Sequence, residues 1–103
     1  MQPFSPIDIH SAKNLIDSQT VTIVDIRDPG AYSQAHISNA VSVNDRNIEE
    51  FLQKTPKDRP LLCYCYHGVS SRHAAGFFQS RGFQEVYSLD GGFEEWRQAY
   101  PVV

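Results

Sequence analysis

The sequence predicts an α/β fold in which a parallel sheet is covered by helices. Two observations predict it. Short apolar runs alternate along the chain with segments of helical periodicity. One run, Leu61-Leu62-Cys63-Tyr64, is apolar throughout, as expected for a central parallel strand buried on both faces. No repeat, low-complexity tract or linker breaks the alternation. The 103 residues are therefore expected to form a single domain spanning 1–103.

The elements follow in order. Phe4 to Ile7 can form a short edge strand limited by Pro3 and Pro6. Asp8 is placed to cap a helix whose apolar side is Ala12, Leu15 and Ile16. Val21-Thr22-Ile23-Val24 is rich in β-branched residues and reads as a buried strand. Asp28 before Pro29 starts a short helix through Tyr32, with proline at the first helical position. Ala40 to Val43 is the next strand. Asn44-Asp45 then opens a helix with Ile48, Phe51 and Leu52 on one face. After the polar 54–60 loop comes Leu61 to Tyr64, with Cys65 at its carboxyl end. A helix from about Ser71 to Arg81 is expected to bury Ala74, Ala75, Phe77 and Phe78, and Gly82 to stop it. Glu85 to Leu89 is the last strand. Asp90-Gly91-Gly92 leads into a final helix with Phe93, Trp96 and Tyr100 on its packed face.

Composition narrows the function classes. Hydrophobic residues make up 41% and charged residues 20%, which suits a globular chain with a real core. The net charge of −3 implies no broad basic surface for nucleic acid. No apolar run approaches the ~20 residues of a membrane span. The opening Met1-Gln2-Pro3-Phe4-Ser5-Pro6 has no basic segment followed by an apolar stretch, so a cytoplasmic location is expected. Two cysteines one residue apart make no disulfide framework, and reduced thiols are expected. Two cysteines and four scattered histidines show no zinc spacing, so neither metal nor cofactor is expected.

The chemistry points to Cys65. In open parallel sheets, ligands bind outside the carboxyl ends of the strands. The loop after Cys65 enters a helix N-terminus, where about four N–H groups lack internal partners. The aligned peptide dipoles add roughly half a positive charge there. Gly68 lets the loop curl, so that the N–H groups of Tyr66, His67, Gly68, Val69, Ser70 and Ser71 can turn inward. Such a ring suits a thiolate, and a thiol in it should titrate below the ~8.5 of a free cysteine. It also suits a persulfide anion. Cys63 lies inside the strand with no loop around it and reads as a packing residue. His67 and Arg72 can tune the charge of the loop, and His73 is expected to face solvent; none is an obvious general base. His10 and His36 are remote in sequence.

Three blocks of residues resemble a known family. Val24-Asp25-Ile26-Arg27-Asp28-Pro29 with Tyr32, Ala35-His36-Ile37 and Ala40-Val41 is similar to the first signature of the rhodanese family. Cys65-Tyr66-His67-Gly68-Val69-Ser70-Ser71 resembles its active-site loop. Leu89-Asp90-Gly91-Gly92-Phe93-Glu94-Glu95-Trp96 resembles its closing signature. The loop is most similar to that of the short GlpE-type thiosulfate sulfurtransferases. The resemblance implies a five-stranded parallel sheet flanked by helices on both faces. It implies a persulfide on Cys65, thiosulfate or a related sulfane compound as donor, and cyanide or a thioredoxin-like dithiol as acceptor. It implies that the backbone from Tyr66 to Ser71 forms the cradle, and that Asp25, Arg27 and Asp90-Gly91-Gly92 are mainly structural. Two departures stand out. Tyr66 and His67 occupy positions where many family loops carry Arg and a second basic residue, so the site is less basic. Ala35 stands where the family commonly has Gly.

Two other readings compete. Phosphatases and arsenate reductases of related fold use Cys-x5-Arg, with Arg clamping a tetrahedral oxyanion bidentately. Here that position is Ser71, and Arg72 comes one residue late. The chain could also be a binding module that uses the fold without chemistry.

Overall fold

The computed structural model describes residues 4–103. Pro3, expected to limit the first strand, lies outside the described residues. The elements are β1 (Ser5–Ile7), α1 (Ile9–Ser18), β2 (Thr22–Asp25), α2 (Pro29–Gln34), β3 (Val41–Ser42), α3 (Ile48–Lys54), β4 (Leu61–Tyr64), α4 (Ser70–Ser80), β5 (Val86–Leu89) and α5 (Gly92–Ala99). The five strands form one sheet in the order β1-β5-β4-β2-β3, and every neighbouring pair is parallel.

β4 sits in the middle, between β2 and β5. Its four residues are all buried, and their alternation sends them into two cores. Leu62 and Tyr64 pack with Ile9 and Ala12 of α1 and with Phe93 and Trp96 of α5. Leu61 and Cys63 pack with Leu52 of α3 and with Ala75 and Phe78 of α4. Helices therefore cover both faces of the sheet. Because both cores draw on one strand, the position at which β4 ends is held from both sides.

Local signals read from the sequence act as expected at several joints. The Asp8 carboxylate accepts the Ser11 N–H at 2.8 Å, and the Asp28 carboxylate accepts the Ala31 N–H at 2.9 Å. Pro29 is the first residue of α2. Gly82 follows the end of α4 directly. Ala35 is extended, at φ −167°, so alanine fits there without strain.

Four expectations are corrected. Phe77 is 40% exposed rather than buried, because the buried stripe of α4 runs through Ser71, Ala75 and Phe78. The third strand pairs only at Val41–Ser42, since it borders β2 alone at the sheet edge. α3 starts at Ile48; before it, side-chain bonds from Asn44 and Asn47 hold a separate turn. Tyr100 is half-buried at the end of α5 and hydrogen-bonded to His10 at 2.6 Å, whereas Phe93 and Trp96 are buried. Among the described residues, no helix is long and apolar enough to cross a membrane.

Candidate active site

Cys65 follows the last residue of β4, and α4 starts five residues later. α4 has no capping side chain of its own at Val69. The sulfur of Cys65 takes that place. The Ser71 N–H, second in the helix, donates to Sγ at 3.3 Å, and the Gly68 N–H in the loop donates at 3.2 Å. Burial alone pushes the Cys65 pKa up, and is the largest single effect. The Ser71 hydroxyl and the N–H groups of Ser71, Gly68 and His67 together outweigh it, and the thiol is held below its ordinary value.

Only part of the expected ring converges on the sulfur. Among the described residues, the N–H groups of Tyr66, Val69 and Ser70 make no hydrogen bond to Sγ. Instead Tyr66, His67, Val69 and Ser70 surround the opening above it, a hollow of about 190 Å³ that contains Cys65. Cys65 is 6% exposed, so the sulfur is reached through this opening and is otherwise enclosed. No Arg or Lys lines it. A larger groove of about 640 Å³ between α2, α3 and α4 contains neither cysteine.

Two glycines make the loop possible. Gly68 has φ +91°, and a Cβ on it would stand 3.0 Å from Leu89 O and from Gly91 N. Gly92 has φ +61°, and a Cβ there would lie 2.4 Å from Tyr66 O. That close approach lets the start of α5 hold the loop. The Phe93 N–H donates to Cys65 O at 2.8 Å, and the Glu94 N–H donates to Tyr66 O at 3.1 Å. The sulfur thus rests on the N-terminus of α4, while the carbonyls of Cys65 and Tyr66 rest on that of α5. Sequence reasoning placed only the first of these. The Gly91-Gly92 pair was the available signal for the second.

A buried ion pair supports the same loop. The Arg27 guanidinium bonds the Asp25 carboxylate at 2.7 Å and Ala35 O at 2.6 Å, and lies 3.9 Å from the Phe93 ring centre. Desolvation weighs against the charge on Arg27, but its bonds to Asp25 outweigh it and the pKa rises. The Tyr64 hydroxyl donates to Asp25 at 2.7 Å. Above this group, the Tyr66 hydroxyl donates to Asp28 at 2.9 Å, tying the loop to the cap of α2. That tether is available only because Tyr, not Arg, follows the cysteine.

The remaining candidates stand apart from the sulfur. Arg72 pairs with Asp90 at 2.9 Å, with both side chains half-exposed. His73 is exposed. His10 bonds Tyr100, and His36 stacks on Tyr32 with ring centres 3.8 Å apart. Cys63 is fully buried, with its thiol facing the carbonyls of Ser71 (3.3 Å) and Tyr87 (3.5 Å). Burial pushes its pKa up to about 12. Among the described residues, no three His, Cys, Asp or Glu side chains are grouped to hold a metal ion.

Comparisons with known proteins agree with this architecture. The family model for the rhodanese-like domain matches residues 8–99. The thiosulfate sulfurtransferase GlpE of Pseudomonas fluorescens is 45% identical over 102 residues, covering 99% of this chain and 93% of the relative. The GlpE of Vibrio cholerae is 40% identical over 99 residues, covering 96% and 93%. The solution structure of a rhodanese-like domain from Anabaena superposes with a TM-score of 0.84 at 26% identity, covering 100% of this chain and 80% of that one. With a parallel five-stranded sheet, a thiol at the carboxyl end of its central strand and a family match across nearly its whole length, the chain belongs to the rhodanese-like family.

Proposed function

We propose that this chain is a thiosulfate sulfurtransferase, acting as one domain, that carries sulfur on Cys65. The observation that carries the reading is the pair of backbone N–H groups, from Gly68 and Ser71, aimed at Cys65 Sγ. Donors fixed in advance stabilise a sulfur anion with little reorganisation.

The reaction divides into two displacements. The Cys65 thiolate attacks the outer sulfur of thiosulfate. The S–S bond of thiosulfate breaks, and sulfite leaves with the electron pair. Cys65 then carries a persulfide whose outer sulfur holds the negative charge. In the second half a nucleophile attacks that outer sulfur, and the Cys65 thiolate leaves. Cyanide becomes thiocyanate. A thioredoxin-like dithiol takes the sulfur as its own persulfide, and its second thiol then displaces hydrosulfide. Neither displacement needs a general base, in keeping with the absence of one beside Sγ.

Tyr66, His67, Val69 and Ser70 would receive the donor's sulfonate end at the opening, and Gly68 and Ser71 would hold the sulfur being transferred. Because no cation lines the opening, donor affinity rests on amide dipoles, and saturation should need higher thiosulfate than in relatives with a basic loop. Two free thiols suit a reducing compartment such as the cytoplasm. A phosphatase reading fits less well: at the position of its clamp stands Ser71, buried and bonded to Ser88.

Intact-mass spectrometry after incubation with thiosulfate tests the proposal. Wild type should gain one sulfur atom, about 32 Da, and lose it to cyanide with release of thiocyanate. Cys65→Ser should gain nothing. A wild type that stays at its original mass, or that hydrolyses an aryl phosphate instead, would overturn the reading. Unchanged biological activity in Cys65→Ser would favour a binding module.

A further inference from the structure

β5 carries a hydroxyl where its burial calls for an apolar side chain. Ser88 is 0% exposed, between buried Val86 and Leu89. Its hydroxyl meets that of Ser71 at 2.8 Å, and Ser71 is also 0% exposed. Neither group can turn to solvent, and each has one proton to give. The pair can therefore be ordered in two ways. If Ser71 donates to Ser88, its proton is used up. If Ser88 donates to Ser71, the Ser71 proton is free for a third partner.

That partner is at hand. Cys65 Sγ already accepts the Ser71 backbone N–H at 3.3 Å. A thiolate enclosed among amides is a stronger acceptor than a neutral hydroxyl. We propose that Ser88 is a positioning residue for the Cys65 nucleophile: by donating to Ser71 Oγ, it directs the Ser71 hydroxyl proton onto Cys65 Sγ. The inference rests on reading Cys65 as a reactive thiolate.

Two further facts support the order Ser88 to Ser71 to Cys65. The Ser71 hydroxyl is the foremost of the groups that hold the Cys65 thiol below its ordinary pKa. A serine in the first turn of a helix, left to itself, readily turns its proton to a nearby backbone carbonyl. A fixed donor on Oγ removes that choice. The other titratable groups around the sulfur are separate from this chain of bonds. Cys63 on β4 is held neutral, Arg72 on α4 pairs with Asp90 after β5, and Tyr66 in the loop bonds Asp28. His67 lies in the loop at the opening. None of them is bonded to Ser88.

The test is the pH dependence of Cys65 alkylation by iodoacetamide, followed by intact mass. Ser71→Ala should raise the midpoint by about one pH unit, and Ser88→Ala by about half a unit. The double variant should match Ser71→Ala alone, because both act through one hydrogen bond. Below the wild-type midpoint, sulfur transfer by Ser88→Ala should be slower by about threefold, and it should recover above the shifted midpoint. A purely structural defect would slow it at every pH. Ser88→Cys, close in volume but a weak donor, should shift the midpoint like Ser88→Ala, and serves if the alanine variant fails to fold. An unchanged midpoint in the folded Ser88 variants, or singles that sum in the double variant, would overturn the inference. Alkylation needs no sulfur donor, so a failure of sulfur loading in wild type would refute the proposed function and leave this result readable.

Discussion

Cys63 and Cys65 stand two residues apart and meet opposite surroundings. Cys63 lies inside β4, walled by side chains of α3, α4 and β5, and its thiol faces only carbonyl oxygens. Oxygen acceptors suit a neutral S–H and oppose a thiolate. Cys65 stands just past the strand, where the chain turns and amides replace carbonyls around the sulfur. N–H donors suit the thiolate. Burial alone does not separate the two, since both are buried. The sign of the surrounding peptide dipoles does, and it reverses where the strand gives way to the loop.

The comparison can be broken first at the sulfur itself. Replacing Cys65 by Ser should lower thiosulfate:cyanide activity by at least about a thousandfold, since the covalent route is lost. Cys63→Ser should keep the activity and the sulfur load. Loss of labelling in Cys63→Ser would show that the two roles are reversed.

The next largest effect should come from the clamp on the loop. Gly92→Ala drives a Cβ into the Tyr66 carbonyl at a positive φ. It should cost about 1–3 kcal/mol of stability and displace the loop. Thermal melting, with roughly 4–8 °C lost per kcal/mol for a chain of this size, measures the cost. An unchanged melting temperature would mean that α5 does not hold the loop.

Opposite pH slopes would sharpen the contrast. The Cys65 pKa is lowered by folding. It therefore contributes stability that is present above the unfolded value, about 8.5, and lost as pH falls through the folded value. The Cys63 pKa is raised to about 12. Its contribution is whole below about 8.5 and is lost as pH climbs toward 12. Urea unfolding across this range should show the rising limb vanish in Cys65→Ser and the falling limb shrink in Cys63→Ala. Tyr64, whose pKa is raised by burial and by its bond to Asp25, should keep part of the falling limb.

Two smaller effects complete the series. Cys63→Ala should cost about 1 kcal/mol through a small cavity, with sulfur loading intact by mass. Arg72→Ala breaks a half-exposed pair with Asp90 and should change stability by less than about 1 kcal/mol in the same unfolding assay.

Much of the fold was legible because its signals are local. Asp8 and Asp28 cap the helices they precede, and the apolar run before Cys65 became the central strand. Phe77 was misread because apolar character alone does not say which side of a helix is covered; the buried stripe runs through Ser71 instead. The role of Cys65 as acceptor for a helix start followed from strand, glycine and helix in succession. The tether from Tyr66 to Asp28, the amides of Phe93 and Glu94 on the loop carbonyls, and the contact of Ser88 with Ser71 join residues 17 to 38 positions apart or lie across separate elements. No local pattern announces such pairs.

By itself, the sequence determined the alternation of strands and helices, and which cysteine stands at a strand end before a helix. These depend on hydrophobic period, capping and glycine placement within a few residues. Tertiary structure alone decided which amides reach the sulfur, which carbonyls face Cys63 and which hydroxyl lies behind Ser71. Those are matters of a few tenths of an ångström between distant elements. Only the packing of α4 and α5 against the carboxyl end of the sheet sets them.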